Sequence, residues 1–182
     1  MRRLALLPLL VLVAGCGTVE REALVLAERA EPQQVELGWR ESYGAGGRVL
    51  RFVVERFAVV DDGWTADVAI ENATGIAFEL GSRPLALAFG LMLFDDGRAE
   101  TLEEANSGGG LPPPRRADTI EPPPPARLPT GTRWAATLSG RGALPAGSFV
   151  RVVFGTLVAV GKPPGDLLPT VVWITDRSTR LR

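Results

Sequence analysis

Residues 49–72 read VLRFVVERFAVVDDGWTADVAIEN, and their periodicity sets the architecture expected of the whole chain. Leu50, Phe52 and Val54 share one parity, while Arg51 and Glu55 take the other. Alternation with a period of two is the mark of a half-buried strand. Phe57 and Val59 then fall on the opposite parity, which predicts a bulge near Arg56. Asp61-Asp62-Gly63 is a tight-turn signal. Beyond it Trp64, Ala66, Val68 and Ile70 alternate with Thr65, Asp67 and Glu71. Two such runs joined by a turn predict an antiparallel hairpin with one apolar face.

The same grammar continues outward. Leu85–Phe94, LALAFGLMLF, is apolar on both parities and too short to span a membrane. It predicts a strand covered on both faces, or a pair of short strands. Asp95-Asp96-Gly97 reads as a second hairpin turn. Thr132–Leu138 alternates, with Trp134, Ala136 and Leu138 on one face. Phe149–Val160 and Val171–Thr175 predict two more strands, joined by the turn-rich GKPPGDLLP at 161–169. Ala23–Ala30 fits either a short helix or a first strand, and no later stretch has helical periodicity. Short strands with Gly/Pro turns predict an all-β fold, an antiparallel β-sandwich with an immunoglobulin-like strand count. Cys16 is the lone cysteine, so no disulfide holds it.

Two resemblances add to this. The strand and turn ending in Ile70-Glu71-Asn72-Ala73-Thr74 resembles small immunoglobulin-like domains of bacterial lipoproteins. AFGLMLF (88–94), RVVFGTLVAVG (151–161), TVVWITD (170–176) and VELGWRE (35–41) resemble an uncharacterised actinobacterial lipoprotein group. That second resemblance implies no activity and no site residue.

The N-terminus begins with basic Arg2 and Arg3, followed by an apolar run from Leu4 to Ala14. A membrane-spanning helix needs about 20 residues, so this run suits a secretory signal peptide. Val13-Ala14-Gly15-Cys16 resembles the bacterial lipobox. The resemblance implies cleavage before Cys16, a diacylglycerol on its thiol and often acylation of the new N-terminus. One acyl chain binds a membrane marginally, and two or three hold it stably. The expected organisation is a signal peptide at 1–15, a lipid-anchored linker at 16–34 and one sandwich domain at 35–182. The expected location is the extracytoplasmic face of the cell membrane.

Charge and composition narrow the function. The chain has 20 basic and 21 acidic side chains, and losing Arg2 and Arg3 makes the mature protein slightly more acidic. No basic stripe of the kind nucleic acid needs is present, so nucleic acid is not an expected partner. With no histidine, serine triads, cysteine–histidine pairs and ordinary zinc sites are excluded. No phosphate-cradling GxxxxGK[ST] occurs. A two-carboxylate glycosidase mechanism stays open, because its acids need not be neighbours in sequence. No cofactor is expected.

Some features invite a site. Residues 103–129, EEANSGGGLPPPRRADTIEPPPPARLP, read as a structureless proline-rich insertion. It is either a partner-binding polyproline segment or a surface crossover between sheets stiffened by proline. Trp64, Trp134 and Trp173 take the buried parity of their strands. Trp39, beside Arg40 and Glu41 and near Tyr43, is the aromatic expected to be exposed. Trp39 and Tyr43 are therefore the candidate ligand contacts, although Trp39 could instead cap the sandwich edge. Asp61-Asp62 and Asp95-Asp96 lack the spacers of a calcium loop and read as turns. Together these features predict a lipid-anchored, non-catalytic binding or structural module with an envelope protein as partner. The alternatives are a carboxylate hydrolase of envelope glycans and a receptor for a soluble ligand.

Overall fold

The computed structural model describes residues 28–80, 89–165 and 167–182. The first elements in chain order are β1 (Gln33–Ala45), β2 (Arg48–Val60), β3 (Gly63–Asn72), β4 (Phe78–Leu80), β5 (Gly90–Phe94) and α1 (Ala99–Gly108). Then come β6 (Arg115–Arg116), β7 (Thr119–Glu121), β8 (Arg127–Leu128), β9 (Thr132–Arg141), β10 (Phe149–Ala159), β11 (Thr170–Ile174) and β12 (Thr179–Arg180). They form two antiparallel sheets packed face to face, an all-β sandwich.

The first sheet has the order β1-β2-β3-β9-β7. The hairpin read from residues 49–72 is its centre, with Val60 opposite Gly63 and Leu50 opposite Asn72. Its register shifts between Val54 and Arg56, which places the expected bulge at Glu55. That extra residue lets Leu50, Phe52 and Val54 face inward on one side of it, and Phe57 and Val59 on the other. The second sheet is built around β10. One edge of β10 pairs with β5 and then β4, the other with β12 and then β11.

Between the sheets lie Phe52, Phe57, Trp64, Ile70, Trp134 and Leu138 from the first, and Phe78, Leu91, Val152, Phe154 and Leu157 from the second. Each fully buried large apolar side chain contributes about 1.5–3 kcal/mol, so this layer drives the fold. A smaller cluster of Met92, Phe94, Val153 and Leu102 lies on the outer side of the second sheet, beneath α1. The described part of Leu85–Phe94 is thus one strand covered on both faces, as its sequence implied. Leu85–Ala88 lie outside the described residues.

Two expectations are corrected, and one strand is added. Asp95-Asp96-Gly97 turns into α1 and does not close a hairpin. The helix escaped the sequence reading because Leu102 is its only buried residue, which leaves no apolar stripe to detect. Asp96 orders its start, accepting from the Arg98 backbone N–H and the Thr101 hydroxyl, both at 3.0 Å. Gly109 ends it in the left-handed conformation, φ 68°.

Residues 103–129 are not structureless. They run from α1 to β6 on the second sheet, across to β7 on the first, and back through β8 to the second. Proline cannot donate to a ladder, so Pro112–Pro114 lie between α1 and β6 and Pro122–Pro125 between β7 and β8. The proline-stiffened crossover is the form this segment takes.

The added strand is β1, a full strand where the sequence reading assigned no element, its first two residues falling in the expected linker. Val35, Leu37, Trp39, Glu41 and Tyr43 point inward. Gly38, at φ 56°, lies in a bulge between Glu36 and Trp39, where the pairing with β2 shifts register. As the outer strand of its sheet, β1 presents a long edge. A bulge and an inward-pointing charge are devices that keep such an edge from recruiting another strand.

The chain joins the sandwich before β1. The Ala30 N–H bonds to the Leu144 carbonyl at 2.8 Å and the Glu31 N–H to the Arg182 carbonyl at 2.9 Å. Both described ends therefore meet at one end of the sandwich, opposite the Gly46-Gly47 turn. Of Ala23–Ala30, residues 28–30 are described, with a single bridge from Arg29 to Pro145. The segment 1–15 and Cys16 lie outside the described residues.

Candidate functional site

Trp39 is 8% exposed and belongs to the main core, so its expected exposure is corrected. Charged neighbours in sequence misled here. On a strand, the residues either side of an inward tryptophan point outward, and Arg40 does so while pairing with Glu55. Tyr43 is half-buried, with its ring 5.9 Å from that of Trp173. Its hydroxyl accepts the Leu168 N–H at 3.2 Å and ties down the 161–169 connection. Trp64 and Trp134 are buried, as their parity implied. Trp173 is half-buried and stacks on Phe52, with centroids 5.0 Å apart and planes 2° from parallel.

The most concentrated polar chemistry is a pair of charged residues that sequence reading passed over. Glu41 is 8% exposed and crosses from the first sheet to the second. It accepts from Trp173 Nε1 at 2.8 Å and from the backbone N–H groups of Asp176 at 3.0 Å and Arg177 at 3.1 Å. Arg151, on the outer side of β10, is fully buried. It donates to the carbonyls of Thr175 at 2.8 Å, Arg98 at 2.7 Å and Gly97 at 3.2 Å, and to that of Asp176. The guanidinium also sits 5.4 Å from the centre of the Phe94 ring. Burial pulls its pKa below the ordinary arginine value, and Asp176, Glu41 and Asp96 oppose that pull.

The turn at residues 175–177 is therefore gripped twice: Glu41 takes its N–H groups and Arg151 its carbonyls. Thr175 completes the grip, accepting the Val152 N–H at 3.0 Å and donating to the Arg177 carbonyl at 2.9 Å. This arrangement satisfies backbone groups of the turn. One signal was available. Arg151 lies between Val150 and Val152, in a run apolar on both parities, where an exposed charge is out of place.

A second buried polar knot closes the β3 end. Asn72 Nδ2 donates to the carbonyls of Ile76 at 2.8 Å and Leu128 at 3.0 Å, and Asn72 Oδ1 accepts from the Thr74 N–H and hydroxyl. The Asn72-Ala73-Thr74 sequence thus serves a turn.

The acids occupy varied positions. Asp61-Asp62 forms the β2–β3 turn. Asp96 is held below the ordinary carboxylate value, chiefly by the Thr101 hydroxyl and then by Arg98. On the outer face of the first sheet, Asp67 accepts from Arg56 and from the Thr137 hydroxyl. Arg133 reaches both Glu55 and Glu71, and Arg51 pairs with Glu71. Among the described residues, no group of three or more histidine, cysteine or acidic side chains is placed to hold a metal ion.

No protein-family model, curated protein or solved structure matches this chain. Its reading therefore rests on its own residues.

Proposed function

We propose that this protein is a lipid-anchored, extracytoplasmic lipoprotein whose sandwich serves as a non-catalytic binding or structural module of the cell envelope. The observation that carries the reading is Cys16 at the end of Val13-Ala14-Gly15-Cys16, directly behind a basic start and a short apolar run. Acyl chains on that cysteine hold a membrane without a spanning helix. Among the described residues, no helix is long and apolar enough to cross one.

The module half of the reading is supported by how the fold spends its side chains. Large apolar groups occupy the space between the sheets. Among the described residues, the two most buried charged side chains, Glu41 and Arg151, bind backbone. The anchoring segment would reach the sandwich beside Arg182, so the Gly46-Gly47 end would face away from the membrane.

The test is mass spectrometry of the protein from a membrane fraction, together with palmitate labelling. The expected product starts at Cys16 and carries diacylglycerol, while Cys16→Ala takes up no label and leaves the lipidated pool. A wild-type chain that retains residues 1–15, or that starts at an unmodified Cys16, would overturn the anchor. Crosslinking from native envelope then tests for a partner, with Cys16→Ala as the control.

A further inference from the structure

We infer that the first sheet carries a shallow binding site for a neutral saccharide residue, at the end where the described chain termini meet. A depression of about 310 Å3 lies there on its surface. Strand register builds it. Thr65 stands opposite Ser139 across β3 and β9, and Thr119 stands opposite Ser139 across β7 and β9. Directly opposed side chains sit roughly 5 Å apart, so three hydroxyls form a row. Thr119 and Ser139 share a 2.5 Å hydrogen bond, which fixes that part of the row. Asp118 stands at the rim, where one carboxylate oxygen accepts the Arg141 backbone N–H at 2.7 Å. Asp62, from the β2–β3 turn, lines the same depression.

Charge singles this place out. Elsewhere on the face, Arg40, Arg51, Arg56 and Arg133 are each paired with Glu55, Asp67 or Glu71. Among the described residues, Asp62, Asp118 and the Arg141 guanidinium form no ion pair. The site therefore offers carboxylate acceptors, guanidinium donors and hydroxyls that serve as either. A neutral polyol can use all three. An anion would face two carboxylates and a cation the guanidinium. Val60, 43% exposed, adds an apolar wall for the C–H side of a sugar ring.

The inference deepens the binding-module reading by naming a ligand class, but it does not depend on the anchor. Its test is saturation-transfer NMR on the full chain, in a detergent without sugar headgroups. The probes are N-acetylglucosamine, cellobiose and maltose at about 10 mM, suited to the millimolar affinity of a shallow site. Transfer to at least one sugar is expected. Asp118→Asn and Ser139→Ala should each weaken binding about fivefold, the worth of one hydrogen bond. Asp118→Asn keeps an acceptor for the Arg141 N–H, and melting curves establish that both variants are folded. Arg51→Ala, on the same face, should bind as wild type. No transfer to any of the three sugars would overturn the inference, and so would transfer that neither variant reduces. Cys16→Ala should bind sugar as wild type does, so a failed anchor and a failed sugar site give different results.

Discussion

Replacing Arg151 with methionine tests whether the buried guanidinium holds the fold together. Two effects oppose each other. Methionine matches much of the volume and abolishes the cost of desolvating a cation, and such exchanges are neutral or stabilising in some proteins. Against that, four carbonyls lose their donor. The Thr175 carbonyl accepts in a fully buried setting, while those of Gly97, Arg98 and Asp176 are partly open to water. One orphaned buried acceptor costs about 2 kcal/mol, and three that water can partly satisfy cost roughly 0.5 kcal/mol each. Relieved desolvation returns part of that sum, leaving up to about 3 kcal/mol of destabilisation. For a chain of this size that is a drop in Tm of roughly 6–12 °C. Urea unfolding followed by tryptophan fluorescence would measure it. Arg151→Lys should fall between, since a compact ammonium cannot span the two loops that the guanidinium fork joins. A methionine variant within about 1 kcal/mol of wild type, or above it, would show that desolvation cancels the four bonds and would refute the reasoning.

The remaining predictions address packing, the candidate contacts and pH. A Cβ at Gly140 would lie 2.6 Å from two carbons of the buried Trp64 ring, so Gly140→Ala should destabilise by about 1–3 kcal/mol in the same urea assay. Trp39→Ala should cost about 3 kcal/mol, as for a core indole; a loss below about 1 kcal/mol would restore Trp39 as a surface contact. Tyr43→Phe should change global stability by less than about 1 kcal/mol while speeding amide exchange at Leu168, whose N–H loses its acceptor. The Asp96 carboxyl is held below its unfolded value, first by the Thr101 hydroxyl and then by Arg98. Its contribution is therefore complete above the unfolded value and fades as pH falls through the folded one. Asp96→Asn should flatten the acid limb of a urea-midpoint profile, and a limb as steep as that of wild type would remove Asp96 from it.

How much of the sandwich could be read depended on whether a residue's neighbours told the truth about its direction. In Trp64–Glu71 they largely did: Thr65, Asp67 and Glu71 face out and Trp64, Ala66, Val68 and Ile70 face in, so strand, face and partner were all legible. The β2 bulge was legible too, because a parity switch between Val54 and Phe57 has no other cheap explanation. β1 failed because Glu41 holds an inward position that only three donors from another sheet make tolerable, and those donors lie more than a hundred residues away. α1 failed for the opposite reason. It buries one leucine, and its start depends on Asp96, in a triplet that otherwise spells a hairpin turn.

The candidate contacts suffered the same fate as β1. Trp39 was judged by Arg40, which occupies the other side of the sheet, and by Glu41, an inward charge that distant donors satisfy. Residues 62, 65, 118, 119, 139 and 141 come together only through a strand order that crosses from β7 to β9 to β3, which no local pattern encodes.

The meeting of the two described ends has a mechanical consequence. β1 runs from beside Arg182 to the Gly46-Gly47 turn, bonded to β2 along its length. A pull on the N-terminal segment against the Asn72 end of β3, at the far end of the sheet, acts along the strands. It loads the ladder in shear, so the bonds share the force. A pull that separates the two ends acts across the Glu31–Arg182 bond and peels it first. The sandwich is therefore stiff towards tension along its long axis and yielding towards tension that parts its ends.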